Sequence, residues 1–560
     1  MTVSVERLAR RIDAAQGRIP CDVILKNARF LDVFACTVRE GDIGIIDGTI
    51  VATLPGLSGR RVIDCAGDTL VPGFIDAHVH LESSLVLPES FERLVLPRGT
   101  TTVIADPHEI ANVHGVKGLQ YFLDAAASMH LDMRVMMSSC VPATIYETNG
   151  GGEIDAQALA TLALHHKALG LAEMMNFPGV LHNDPGVLAK LEAFSGRVID
   201  GHAPLVTGRA LEAYAAAGIS SCHESSQLNE AKEKLGLGIS VWIREGSVAK
   251  DADTLASLLT LATSTSVGFC TDDRNPLDIA REGHLDHVLR KVLAKGVDPS
   301  VAYRAASWTV ARHYGLKSLG AIAPGYRADI VQLGDYTTAT VKDTFVKGTN
   351  VTELDSVKSI KADDRNSIRI TIPEAHDLEG PSGLVHVIDV IPGKIVTGRS
   401  VAQSNATGIH RLTVLERHGH HRAPANAYVR GFGDAFRGAI ASSVGHDSHN
   451  LIVVGFSTKD MRFALAALAD TGGGFCVVKD GRVAALLALP VAGLMTNASP
   501  EQVERDLTNL RKASHAAGCA LEEPFLQLAF LSLPVIPSLK LTDHGLFDVD
   551  AFNVIGVQAA

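Results

Sequence analysis

Apolar runs of strand length recur along the chain, and what separates them changes twice. From Asp22 to Leu70 the runs VILKNARFLDV, IGIIDGTIVATL and RVIDCAGDTLV are divided by Asp-Gly and Gly turn signals, a pattern that predicts a small sheet. After Val71 the runs alternate with helical stretches, as in βα units that build a parallel sheet. Eight of them follow in order: VPGFIDAHVH, TTTVIADPHE, MRVMMSSC, LGLAEMM, RVIDGHA, ISSCHE, ISVWIREG and VGFCTDD, the last ending at Asp273. Eight such runs in about 200 residues predict an α/β fold, a (β/α)8 TIM-type barrel.

Beyond the barrel the texture reverts. LGAIAPGYRADIVQLG and VKDTFVKGTNV resemble the first sheet and are expected to return and complete it as a split β-sandwich. Past a polar stretch around Lys361 to Asn366, the strand-like runs IRITI, LVHVIDVI, LIVVGFS and FCVVKDGRVAALLALP mix with helices. One helix is marked by Ser499 at the N-cap, Pro500 and Glu501 in the first turn and Gly518 at its close. The expected units are 1–70 (N-terminal helix and first part of the small β-domain), 71–312 (catalytic barrel), 313–362 (return segment) and 363–560 (C-terminal α+β domain).

A length of 560 residues is too long for one core, which agrees with this division. A net charge of −11 without clustered Lys and Arg argues against a nucleic-acid partner. The cysteines are scattered with no CxxC pair, which reads as reduced, buried thiols. Glu6, Arg7, Arg10, Arg11 and Asp13 predict an amphipathic capping helix at the N-terminus, not a secretory leader. The longest apolar stretch, Val483 to Met495, is broken by Pro490 and Gly493 and falls short of the roughly 20 residues that span a bilayer. A soluble, cytoplasmic protein without a membrane partner is expected.

The chemistry lies where the eight runs end. His78 and His80, two apart on a strand, point to one face and can converge on one cation. His108 and Glu109, Glu173, His202, His223 and Asp272 sit at corresponding ends, on the face where barrel enzymes carry their sites. Imidazoles and carboxylates of this kind hold two divalent ions about 3.5 to 4 Å apart with one bridging carboxylate, for which Glu173 is the candidate. Asp272 and Asp273 are adjacent and would face opposite ways on a regular strand; Asp272, directly after Thr271, is chosen.

These residues resemble the amidohydrolase superfamily: PGFIDAHVHLESS, the His202 and His223 strands, TDD, and a split sheet ending in LGAIAPGYRADIV. A glutamate in LAEMMNFPGV, ADPHEIANV, SSCVPAT with Glu147, IREGS and FCTDDRNP narrow the resemblance to the bacterial adenine deaminase family. ERHGHH, SSVGHDSHNLIVVG, PVAGLMTN and LPVIPSLKLTDHGLFDV extend it over nearly the whole chain. The resemblance implies that His78, His80 and Asp272 hold one metal, that His202 and His223 hold the other, and that Glu173 bridges. It also implies manganese or iron(II), with zinc not excluded by the ligand set, a homo-oligomer such as a dimer, and adenine as substrate.

The reaction implied is attack on C6 of adenine by a hydroxide shared between the cations, giving hypoxanthine and ammonia. Asp272, Glu109 and His223 are the expected catalytic side chains. Asp272 would take the proton and relay it to the leaving amine, and protonated Glu109, or alternatively His108, would donate to N1. His108, Glu109, Glu82, Ser83, Ser84 and Glu147 are candidate substrate contacts that could equally fix loops. His418, His420, His421, His446 and His449 form a second concentration of ligand types, for which packing or covering of the site is expected. The rival readings are cyclic amide hydrolysis or amino-sugar deacetylation on the same ligands, and more remotely a noncatalytic scaffold.

Overall fold

Strands buried on both faces read as near-continuous apolar runs, and the barrel is built from such strands. In a computed structural model, which describes residues 4–363 and 366–559, they are β1 (Phe74–Val79), β2 (Thr100–Ala105), β3 (Asp132–Met137), β4 (Ala168–Met174), β5 (Ile199–Gly201), β6 (Ser221–Cys222), β7 (Ser240–Arg244) and β8 (Val267–Cys270). Strands β1 to β5 pair in parallel in sequence order, as do β6 to β8. Ser220 N–H donates to Ile199 O at 3.0 Å where β5 meets β6. The ring closes where Val79 bridges Asp272 in parallel and Asp272 N–H donates to His78 O at 3.0 Å. The curled parallel sheet is a TIM-type barrel.

Ile75, Ala77, Ile104, Met136, Ala172 and Trp242 from the strands pack with Val310, Ala311 and Tyr314 in one core cluster. The Tyr314 hydroxyl lies within hydrogen-bonding distance of Ala77 O (2.9 Å) and Asp200 Oδ2 (2.8 Å), which places polar contacts beside that apolar floor.

The small sheet assembles from both sides of the barrel sequence, as expected. Ile330–Asp335 lies antiparallel to Thr69–Pro72, with Ile330 opposite Pro72, and Thr69–Pro72 pairs with Cys21–Asp32. The N-terminal helix, Val5–Ala15, starts at the Ser4 cap and buries Ala14 against Cys21, Ile24, Ile46 and Val51. Asp132, at the start of β3, ties this sheet to the barrel: it accepts from Arg327 (2.6 Å), Lys167 (2.9 Å) and Arg134 (3.0 Å). Burial works against its charge, but the three cations outweigh it and hold the carboxyl well below its usual range. A depressed folded pKa contributes stability that is present above the unfolded value, near 3.9, and is lost as pH falls through the folded one. Asp132→Asn should therefore cost about 3 kcal/mol near pH 7, because the partners are left unpaired. The gap in unfolding midpoint between wild type and variant should narrow in acid below about pH 4; a gap independent of pH would refute the assignment.

The C-terminal unit is an eight-stranded sheet. Alternation within its strands sends Ala439, Ala441, Leu451 and Val453 against helix Thr458–Thr471, while Ile440, Ile452, Val454 and Phe475 face helix Pro500–Ala516 and the core shared with the barrel. Helix Pro500–Ala516 is capped by the Ser499 side chain, which accepts from Gln502 N–H, and Gly518 follows at φ +91. One expectation changes here. IRITI (Ile368 to Ile372) forms no strand: its Arg369 N–H reaches Arg417 O at 2.8 Å, and Pro373 ends the run before a ladder develops. LPVIPSLKLTDHGLFDV contributes two strands, Leu539–Thr542 and Gly545–Asp548, of a separate three-stranded sheet. The polar break expected around Lys361 to Asn366 lies in part outside the described residues. No helix among the described residues is long and apolar enough to cross a membrane.

Candidate metal centre

Glu173 leaves the end of β4 with its two carboxylate oxygens facing two different sets of imidazoles. Oε1 lies 3.3 Å from His80 Nε2 and 3.6 Å from His78 Nε2, at the end of β1. Oε2 lies 2.6 Å from His202 Nδ1, beyond β5, and 3.4 Å from His223 Nε2, beyond β6. All five side chains are buried. Burial opposes the charge on Glu173, yet His202 and His223 hold it well below its ordinary range.

Asp272 completes the first set, its Oδ1 3.1 Å from His80 Nε2 and 3.5 Å from His78 Nε2. The strand has ended at Cys270 and Asp272 adopts φ +55, so the alternation expected of Asp272 and Asp273 does not apply. Both aspartates line the same cleft. Asp273 Oδ1 accepts instead from Ser83 Oγ at 2.5 Å.

Two groups in the cluster were not singled out from the sequence. Arg244, the last residue of β7, donates to Asp272 Oδ2 at 3.0 Å and pairs with Glu224 through both terminal nitrogens. Glu224 Oε1 in turn stands 3.7 Å from His223 Nε2 and 3.9 Å from His202 Nδ1. The available signal was position: Glu224 directly follows His223, and Arg244 ends a strand at the chemical face.

The remaining expected residues divide. His108 lines the cleft, with Nδ1 3.3 Å from Asp106 Oδ2 and 3.4 Å from Glu173 Oε1. Glu109 stands behind it, its Oε1 3.0 Å from Ser83 Oγ, and burial raises its pKa. Glu82 accepts from Ile110 N–H (3.1 Å), and burial together with Glu109 pushes it up to about 8. Ser84 donates to Leu81 O (2.6 Å), and Glu147, also pushed up to about 8 by burial, accepts from Thr144 N–H (3.1 Å) beside a separate groove.

The C-terminal unit covers the cleft with Ile395, Phe530, Leu533 and Ile536 and adds His446 and Asp447 to its lining. Of the second histidine group, His446, His449 and His418 are buried, whereas His420 and His421 are exposed. His446 stacks on Phe530 with ring centroids 4.6 Å apart.

The donor set fits divalent cations. His78, His80 and Asp272 bring three ligand atoms within 4.8 Å of one another, and so do His78, Glu173 and His223. His202 Nε2 is buried without a hydrogen-bond partner among the described residues. Nitrogen and carboxylate donors in these numbers suit manganese, iron or zinc.

Comparison with known proteins follows the same lines. Residues 69–351 match the Amidohydrolase family and residues 392–553 match the Adenine deaminase C-terminal domain. The chain is 48% identical to an adenine deaminase of Sinorhizobium fredii, over 98% of this chain and 100% of the relative. It is also 48% identical to an adenine deaminase of Cereibacter sphaeroides, over 98% and 99%. Among solved structures, an enamidase of the amidohydrolase superfamily aligns with TM-score 0.44 and 17% identity, over 59% of this chain and 95% of that one.

Proposed function

Because the chain belongs to the adenine deaminase family of the amidohydrolases, we propose that the cluster around Glu173 is where it hydrolyses adenine to hypoxanthine and ammonia. The observation that carries the assignment is the division of the Glu173 carboxylate between two histidine sets. His78, His80 and Asp272 would hold one cation, His202 and His223 the other, with Glu173 between them.

When bound, such cations would lower the pKa of water so that a nucleophile is available near neutral pH. Asp272 takes the proton released as water attacks C6 and delivers it to the exocyclic nitrogen, which then departs as ammonia. Arg244 holds the Asp272 carboxylate toward the reacting carbon through its 3.0 Å contact. Electron density pushed onto N1 needs a donor. His108 is assigned that role over Glu109, because its ring lines the cleft between Asp106 and Asp447 while Glu109 stands behind Ser83. His108 then recovers its proton from the C6 hydroxyl as the carbonyl of hypoxanthine forms. The apolar cover of Ile395, Phe530, Leu533 and Ile536 keeps bulk water from the site.

Manganese or iron(II) is the proposed occupant, and metal analysis after expression with added manganese reads it directly. The function is tested by ammonia release from manganese-loaded protein across adenine, adenosine, cyclic amides and acetylated amino sugars. Adenine should yield hypoxanthine and ammonia in equal amounts. Turnover of a cyclic amide or an acetylated sugar in its place would reject the proposal.

A further inference from the structure

The side chains assigned above to the proton transfers, Asp272 and His108, come from the barrel and act at adenine's six-membered ring, where C6, N1 and the exocyclic nitrogen lie. The five-membered ring carries an N–H that has no assigned partner. An N–H desolvated beneath Ile395, Phe530, Leu533 and Ile536 without an acceptor would be costly. The polar side chains that the C-terminal unit places on the cleft are His446 and Asp447.

Asp447 has the right chemistry. An ionised carboxylate only accepts hydrogen bonds. Its Oδ1 faces His446 Nδ1 at 3.5 Å and His108 Nε2 at 3.6 Å. Its Oδ2 has no hydrogen-bond partner among the described residues, although the side chain is only 2% exposed. A buried, unpaired acceptor on the lining of a substrate cleft calls for a donor from the ligand. Burial works against the charge of this carboxylate, but His108 and His446 outweigh it and keep it ionised. His446 stacks on Phe530, so the pair is packed against the apolar cover.

We propose that Asp447, carried into the cleft by the C-terminal unit, accepts the hydrogen bond of adenine's five-membered-ring N–H and thereby selects free bases over purines substituted on that ring. This rests on the functional reading above and adds the residue that sets its specificity. The barrel performs the chemistry, and the appended unit reads the part of the substrate that the chemistry leaves untouched.

The test compares kcat/KM for adenine, 9-methyladenine and 7-methyladenine in wild type and Asp447→Asn, each with its metal content measured. Wild type should prefer adenine strongly. In the variant, adenine should lose about 10- to 100-fold, the worth of a hydrogen bond to a charged group, while the methylated bases stay within about threefold of their wild-type values. The preference then collapses. An equal loss for all three bases would mean a structural role, and loss of a metal ion with the side chain would mean a ligand; either result overturns the proposal. Calorimetric binding of adenine and 9-methyladenine to the same metal-loaded proteins separates the two readings. A wild type that binds adenine selectively through Asp447 but releases no ammonia would reject the function and keep this inference.

Discussion

Glu173→Gln should leave a folded protein that binds fewer than two metal ions per chain and has lost at least about 10³-fold in turnover. Placed between two cations, Glu173 would neutralise charge on both, and metal assistance contributes several kcal/mol to the transition state, each 1.4 kcal/mol being about tenfold in rate. The amide keeps the size of the side chain but can present an oxygen to only one histidine set. Its NH2 would face either His202 and His223 or His78 and His80, where Oε2 and Oε1 now stand. The fold should tolerate the change, because Ser139 Oγ anchors residue 173 through its backbone carbonyl at 2.5 Å, not through the carboxylate. Metal analysis by mass spectrometry, together with ammonia release, checks both halves. Full activity with two ions retained would remove Glu173 from the bridging position.

Much of this centre was legible because two simple rules converge in a parallel barrel. Strands buried on both faces announce themselves as uninterrupted apolar runs, and the polar residues that end them all fall on one rim. His78, His80, Glu173, His202, His223 and Asp272 could be gathered that way without knowing a single distance. Arg244 and Glu224 obey the same rule, but a lone charged residue at a strand end carries no signal that it will pair with another strand's carboxylate. The orientation of Asp273 depended on the left-handed backbone at Asp272, which strand alternation cannot anticipate. The cover was less legible still. Ile395, Phe530 and Ile536 are ordinary apolar residues, and nothing local says that they close over a cleft built some hundreds of positions earlier. The HDSH segment drew notice for its histidines, yet its Asp447 is the residue left with an unpaired buried oxygen.

The same left-handed backbone makes Asp272→Asn a clean test of proton transfer. Asparagine is among the few residues that adopt positive φ readily, so the variant should keep the geometry that aspartate has at φ +55. Its side-chain oxygen can still accept from Arg244, as Asp272 Oδ2 does at 3.0 Å, or face His80 Nε2, as Oδ1 does at 3.1 Å. What it cannot do is take a proton from water and return it to the exocyclic nitrogen. General acid–base catalysis of this kind contributes about 10²- to 10⁴-fold, so kcat should fall by that amount while adenine binding changes little. Assays in excess manganese, with two ions confirmed per chain, keep weakened ligation from imitating the effect. Asp273→Asn is the matched control: its carboxylate accepts from Ser83 Oγ and stands outside the histidine set, so its kcat should fall less than about tenfold. If Asp273→Asn were the more damaging change, or if Asp272→Asn acted through KM alone, the proton shuttle would have to be moved to another group. If the order holds, the contact from Arg244 explains why an arginine is buried beside a metal centre. Together with His78 and His80, whose contacts weigh more, it keeps the Asp272 carboxylate, which burial alone would push toward neutrality, ionised.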